Sequence, residues 1–186
     1  MLGCEDIMNE KKSFMQALLA APPAPSSEED FSGPVPIVPF ADWDYYYITK
    51  PLQWHANTAT TSGVNQVSAP VGFVTDLASI PREFWTFLSP MARYSYPAIL
   101  HDHLYWFQTY TREQADAMLK TAMEELSVPS ATVFAVYNAV RLGGGHAWNA
   151  NTAARAGGER RVLKRFPTDV KTTWQSWKMH PDVFVT

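Results

Sequence analysis

The sequence predicts an α+β fold, a small antiparallel sheet followed by two to three packed helices. Residues 40–73 are rich in aromatic and β-branched residues and are broken by prolines and glycines, the pattern of short strands. After Ile80-Pro81 the character turns helical, and a segment opening at Thr111 repeats its apolar residues at helical spacing. A chain of 186 residues, 46% hydrophobic and 13% aromatic, is long enough for one packed core plus tails.

Residues 1–19 are expected to form a short amphipathic helix with Ile7, Phe14, Met15, Leu18 and Leu19 on one side. A Pro/Ser/acidic stretch from Ala20 to Asp30 follows, so residues 1–39 read as a flexible tail and Pro-rich linker. Residues 40–150 read as the core. There Asp44 to Thr49 forms a strand, Pro51 limits it to an edge or ends it, and Leu52-Gln53-Trp54 continues beyond the break. Thr60 to Gly63 is a turn, and Val64 to Val74 a further strand kinked at Pro70. Residues 82–88 suit a short helix. Residues 92–107 suit a longer one, with Pro97 in its first turn, where no N–H is needed. Thr111 and Gln114 form a capping-box pattern, and the helix after them aligns Ala115, Met118, Leu119, Ala122, Met123 and Leu126. A third helix is expected from Ala131 to Leu142, stopped by Gly143-Gly144-Gly145. Residues 151–186 read as a C-terminal extension packed on or near the core, with one helix expected near 168–178.

The net charge of −3 gives no phosphate-binding footprint, which argues against nucleic acid as the main partner. One cysteine, Cys4, excludes an internal disulfide. No stretch approaches the roughly 20 apolar residues of a membrane span. Synthesis in the cytoplasm without a classical signal peptide is the expectation, with delivery outside the cell by another route if the target lies there.

The polar residues of interest cluster in Leu100-His101-Asp102-His103-Leu104-Tyr105. On a helix His101 and Tyr105 share a face, while Asp102 points about 100° away, so His101 and Asp102 must serve different partners. That suits a general base beside a metal ligand. Asp116, on the flank of the next helix, is placed to reach His101 or Tyr105, where it would orient the imidazole and favour its protonated form. The alternative is a half-exposed helix carboxylate paired with a Lys or Arg. The loop after Phe73 holds Thr75, Asp76 and Ser79, oxygen donors of the kind that bind Ca²⁺. A capping turn before Pro81 is the competing reading. His103 is expected at the surface, and His55, His146 and His180 have no partner at metal-ligand spacing.

Gly72 to Pro81, His101 to Tyr105, Arg112 to Asp116 and Val140-Arg141-Leu142-Gly143 together resemble a bacterial and phage family, domain of unknown function 1353. The resemblance spans about residues 45–148. The same ordered pattern more distantly resembles the small bacterial and fungal phospholipases A2, with their His-Asp-x-x-Tyr helix and following Asp-bearing helix. That second resemblance implies a phospholipase A2-like helical core. It casts His101 as the base that activates water, Asp116 as the partner that orients it and Tyr105 as the phenol on that partner. Asp102 becomes the Ca²⁺ carboxylate, and Thr75, Asp76 and Ser79 the calcium loop. Leu100 and Leu104 stand where cysteines of those enzymes often sit, so disulfide stapling is absent.

The leading expectation is therefore a Ca²⁺-dependent hydrolase of phospholipid esters, phage-encoded or a secreted antibacterial effector, with a delivery or immunity protein as partner. A metal-dependent amidase or peptidase on cell-wall material, and a non-catalytic phage or secretion-system component, are the alternatives. Trp85, Phe87, Trp106 and Phe107 are candidates for lipid contact or for core.

Overall fold

In the computed structural model the described residues are 37–77 and 95–185. Ser79, Trp85, Phe87, the expected helices at 1–19 and 82–88 and the Pro-rich linker lie outside them.

The strand region divides between two small antiparallel sheets. β1 (Ile37–Pro39) pairs with β2 (Tyr46–Ile48), which pairs with β5 (Val74–Thr75); β3 (Leu52–His55) pairs with β4 (Gln66–Ala69). The register sets Val38 opposite Tyr47 and Tyr47 opposite Val74 in one sheet, and Trp54 opposite Val67 in the other. Two expected continuous strands are thus each split. β2 ends at Ile48, and after Pro51 the chain starts a strand of the second sheet. The stretch Val64 to Val74 likewise changes sheets at Pro70-Val71-Gly72, because proline cannot donate to a ladder. β3 and β4 alternate strictly: Leu52, Trp54, Val67 and Ala69 are buried while Gln53, His55, Gln66 and Ser68 are exposed.

Helix α1 (Ser95–Phe107) is buried on almost every side, from Ser95 through Asp102 and again from Leu104 to Trp106. Both sheets and the next two helices pack on it. Pro97 falls in its first turn, as expected, and the helix stops where Gln108 turns left-handed at φ 53°. α2 (Arg112–Glu125) opens on Thr111 with both halves of the capping box formed, and buries Ala115, Asp116, Met118, Leu119, Ala122 and Met123. Trp54 Nε1 donates to Glu125 Oε2 at 2.8 Å and ties the second sheet to this helix.

α3 (Ser130–Ala156) corrects the expected stop at Gly143-Gly144-Gly145, since the helix runs straight through the triplet. A mid-helix glycine costs about 1 kcal/mol relative to alanine, and tertiary packing offsets it here. A Cβ on Gly144 would lie 2.3 Å from the Tyr105 hydroxyl oxygen, so only glycine lets α3 approach α1 this closely. The helix ends instead at Gly157-Gly158, where Gly158 has φ 88°. α3 also crosses residue 150, the expected start of the C-terminal extension, without interruption. On the way Arg155 Nη1 caps α1, donating to the carbonyls of Trp106 (2.8 Å) and Phe107 (2.6 Å).

The chain after α3 returns to the three-stranded sheet. Val74 N–H donates to the Arg161 carbonyl (2.8 Å) and Leu163 N–H to the Gly72 carbonyl (2.9 Å). A short helix, α4 (Trp174–Trp177), sits inside the range expected for one. Phe40, Tyr47, Val74, Leu163, Trp174, Val183 and Phe184 form a second, smaller core. Among the described residues no helix is long and apolar enough to cross a membrane.

Gly72 is the tightest point of this return. Its φ is 83°, and a Cβ there would sit 2.1 Å from the Leu163 carbonyl oxygen, a backbone atom that cannot step aside. Gly72→Ala combines left-handed strain with overpacking and is expected to destabilise by about 3 kcal/mol, read by urea denaturation. A loss below about 1 kcal/mol would mean that the two segments are not held this closely.

Candidate active site

His101, Asp102 and Tyr105 are supplied by α1, Asp116 by α2, and Thr75 and Asp76 by the end of β5 and the residue after it. The first contacts are those the helical spacing implies. His101 and Tyr105 share a face with ring centroids 4.1 Å apart. Both reach one oxygen of Asp116: His101 Nε2 lies 2.8 Å and the Tyr105 hydroxyl 2.6 Å from Oδ1. The other oxygen, Oδ2, accepts from Arg141 Nη1 at 2.8 Å and from Arg112 Nη1 at 3.4 Å. Asp116 is therefore a fully buried carboxylate at the centre of four donors, not a half-exposed one.

The electrostatics follow from that arrangement. Burial alone would raise the Asp116 pKa, but the bonds from His101, Tyr105 and Arg141 outweigh it and hold the carboxyl below its usual value. Burial lowers the His101 pKa, and the neighbouring carboxylate, which favours imidazolium, only partly offsets this. The expected pull of Asp116 toward the protonated form is present, but burial outweighs it. His101, 1% exposed, is therefore neutral near neutral pH. Burial first, then Asp116, raises the Tyr105 pKa well above that of a free phenol. With Nε2–H donated to Asp116, the ring's basic lone pair is on Nδ1.

Asp102 serves a separate partner, as the spacing requires. Thr75 Oγ1 donates to Asp102 Oδ2 at 2.5 Å and itself accepts from Leu77 N–H at 3.1 Å. With its hydroxyl so engaged, Thr75 positions Asp102. His101, Asp102, Tyr105 and Asp76 all line one cavity of about 550 Å³. Its opposite wall is the small-residue side of α3, including Ala139, Gly143, Gly144 and Ala147, and Tyr45, Glu159 and Arg161 complete the lining. Among the described residues no three His, Cys, Asp or Glu side chains gather as a metal-binding group.

His103 corrects the expectation of a surface position. α1 is covered on almost every side, so His103 sits half-buried against Phe73 (centroids 5.1 Å) and Phe107 (4.6 Å), with Nδ1 buried and, among the described residues, unpartnered. Burial pushes its pKa from 6.5 down to about 4. In that window the unfolded chain binds the proton and the folded one does not, so stability is full above pH 6.5 and declines toward pH 4. His103→Phe removes this penalty. Between about pH 7.5 and about pH 5 the variant is expected to lose about 2 kcal/mol less stability than the wild type. Equal losses in paired urea titrations would contradict it. Trp106 proves to be core and Phe107 half-buried.

Sequence reasoning missed Tyr45, Glu159 and Arg161 altogether. It also passed over Arg112, whose i,i+4 spacing to Asp116 was the available signal.

The fold and site define an α+β protein whose central helix carries a histidine, oriented by a buried carboxylate, on the wall of a cavity. The chain belongs to the family described as protein of unknown function (DUF1353), which it matches over residues 46–140. That span includes His101, Asp102, Tyr105 and Asp116 and ends before Arg141, the glycine triplet and Arg161. No curated protein and no solved structure matches the chain.

Proposed function

We propose that the protein is a metal-dependent hydrolase of phospholipase A2 type that cleaves ester bonds of phospholipids. The observation that carries this reading is the His101 Nε2–Asp116 Oδ1 contact of 2.8 Å, with His101 also forming part of the cavity wall. A neutral imidazole whose outer nitrogen is fixed by a carboxylate has the tautomer and the basicity of a general base. In the proposed reaction His101 Nδ1 takes a proton from water as the water oxygen attacks the ester carbonyl. The imidazolium formed is stabilised by Asp116. It then returns the proton to the departing alkoxide as the ester C–O bond breaks, giving a fatty acid and a lysophospholipid. The bare side of α3 facing the cavity, where glycine and alanine leave room, supports an alkyl chain as the neighbouring group.

Ca²⁺ is the cofactor proposed. Asp102 and Asp76 put two carboxylates on the cavity wall, and hard oxygen donors of this kind suit Ca²⁺, which completes its shell with carbonyls and water. Thr75 holds Asp102 in place for this role. When bound there, the ion would supply positive charge for the oxyanion of the tetrahedral intermediate.

The test is fatty-acid release from phosphatidylcholine in mixed micelles, with added Ca²⁺ or with a chelator. Wild-type hydrolysis is expected to vanish on chelation, and Asp102→Asn to lower it by about 100-fold at fixed Ca²⁺. Should the wild type release no fatty acid with Ca²⁺ present, or should Asp102→Asn match it, the reading is wrong.

A further inference from the structure

Arg161 enters the same cavity from the C-terminal segment and takes no part in the His101 network. It is 8% exposed, with its guanidinium 4.4 Å from the Trp106 ring centroid and 5.4 Å from that of Tyr45. These two ring contacts restrict the freedom of the guanidinium in advance. Of its five N–H donors, Nε–H goes to Glu159 Oε1 at 3.1 Å. Among the described residues, the two Nη groups meet no acceptor.

A guanidinium cannot shed its charge, and donors this deeply placed must be satisfied by whatever fills the cavity. Glu159 does not cancel it. Its second oxygen accepts from Lys178 Nζ at 3.3 Å, so this trio carries one net positive charge, beside the Asp76 and Asp102 carboxylates that also line the cavity. A planar fork held against two rings at the lining of a partly open cavity matches an oxygen acid that accepts two parallel hydrogen bonds.

We propose that Arg161 anchors an anionic oxygen-acid group, phosphate or carboxylate, of the ligand that fills this cavity. The assignment concerns binding, and it holds whatever chemistry His101 performs.

The test follows the Arg161 Nε–H signal in ¹H–¹⁵N spectra of the full chain, identified by its loss in Arg161→Gln. Inorganic phosphate, acetate and monomeric dihexanoylphosphatidylglycerol are titrated separately, with calorimetry in parallel. A saturable shift with at least one of them is expected, weakened about tenfold or more by Arg161→Gln and less by Arg161→Lys. Tighter binding of the short-chain lipid than of phosphate assigns the anion to an esterified headgroup, equal binding to free phosphate, and tightest binding of acetate to a carboxylate. If none of the three saturates, or Arg161→Gln binds as the wild type does, the proposal is overturned. If Arg161→Gln does not fold, Glu159→Gln serves instead. It keeps Arg161 and removes the adjacent negative charge, so affinity should rise about threefold or more, and unchanged or weaker binding overturns the proposal. Because no readout is hydrolysis, a failure here is distinguishable from a failure of the esterase reading.

Discussion

Replacing Asp116 with alanine is expected to remove about 4 kcal/mol of stability, a large share of what a domain of this size possesses. The carboxylate is fully buried and accepts from His101, Tyr105, Arg141 and Arg112. Taking it away leaves two guanidinium groups facing each other's charge, a phenol without its acceptor and an imidazole without its partner. The phenol and the imidazole cannot turn to water without opening the contact between α1, α2 and α3, whereas the two arginines, 22% and 28% exposed, keep partial access to it. Asp116→Asn keeps the volume but turns an amide toward Arg141, so a smaller loss of about 2 kcal/mol is expected. Urea denaturation at neutral pH reads both. A loss under about 1 kcal/mol for the alanine variant would show that the four donors are not organised by this carboxylate.

His101→Asn has the largest expected effect on activity. If His101 is the base, kcat for ester hydrolysis should fall by about 10³-fold, within the usual range for loss of general-base catalysis, while stability changes by far less than in the Asp116 variants. The pH profile supplies a second check. The base must be neutral to act, and burial holds its pKa below 6.5. The acid limb of kcat/KM is therefore expected below pH 6.5, with a level rate from there into the neutral range. A limb centred above 6.5, or an asparagine variant of undiminished kcat, would remove His101 from the reaction.

Much of this site could be read from local pattern. Four-residue spacing placed His101 and Tyr105 on one face, and the neighbouring position of Asp102 sent it elsewhere, to Thr75. The Thr111–Gln114 box fixed the start of α2 and so the angular position of Asp116. These features depend on helix geometry alone, which the sequence carries directly.

What failed depends on tertiary placement. Gly143 to Gly145 read as a helix stop, because a glycine run lowers helix propensity and nothing nearby in sequence reveals the Tyr105 phenol that occupies the missing side chain's space. His103 read as a surface residue because it faces away from His101 on the helix, whereas α1 is covered on almost every side. Pro51 and Pro70 were visible breaks, but whether a strand bends or changes sheets is decided by its partners. Arg161 gave no signal, since its meaning lies in Tyr45, Trp106 and Glu159, two of them distant in the chain.

The hydrogen bonds of residues 161–163 to Gly72 and Val74 have a consequence for the order of events at the ribosome. Strands β1 to β5 and the three long helices emerge first and already contain the His101–Asp116 pair, yet one side of the cavity is still missing. It is added only when residues 161–163 emerge and close a long loop back onto the first sheet, a step made slow by its low contact locality. The nascent protein thus acquires its histidine network before the Glu159 and Arg161 side of its cavity is in place.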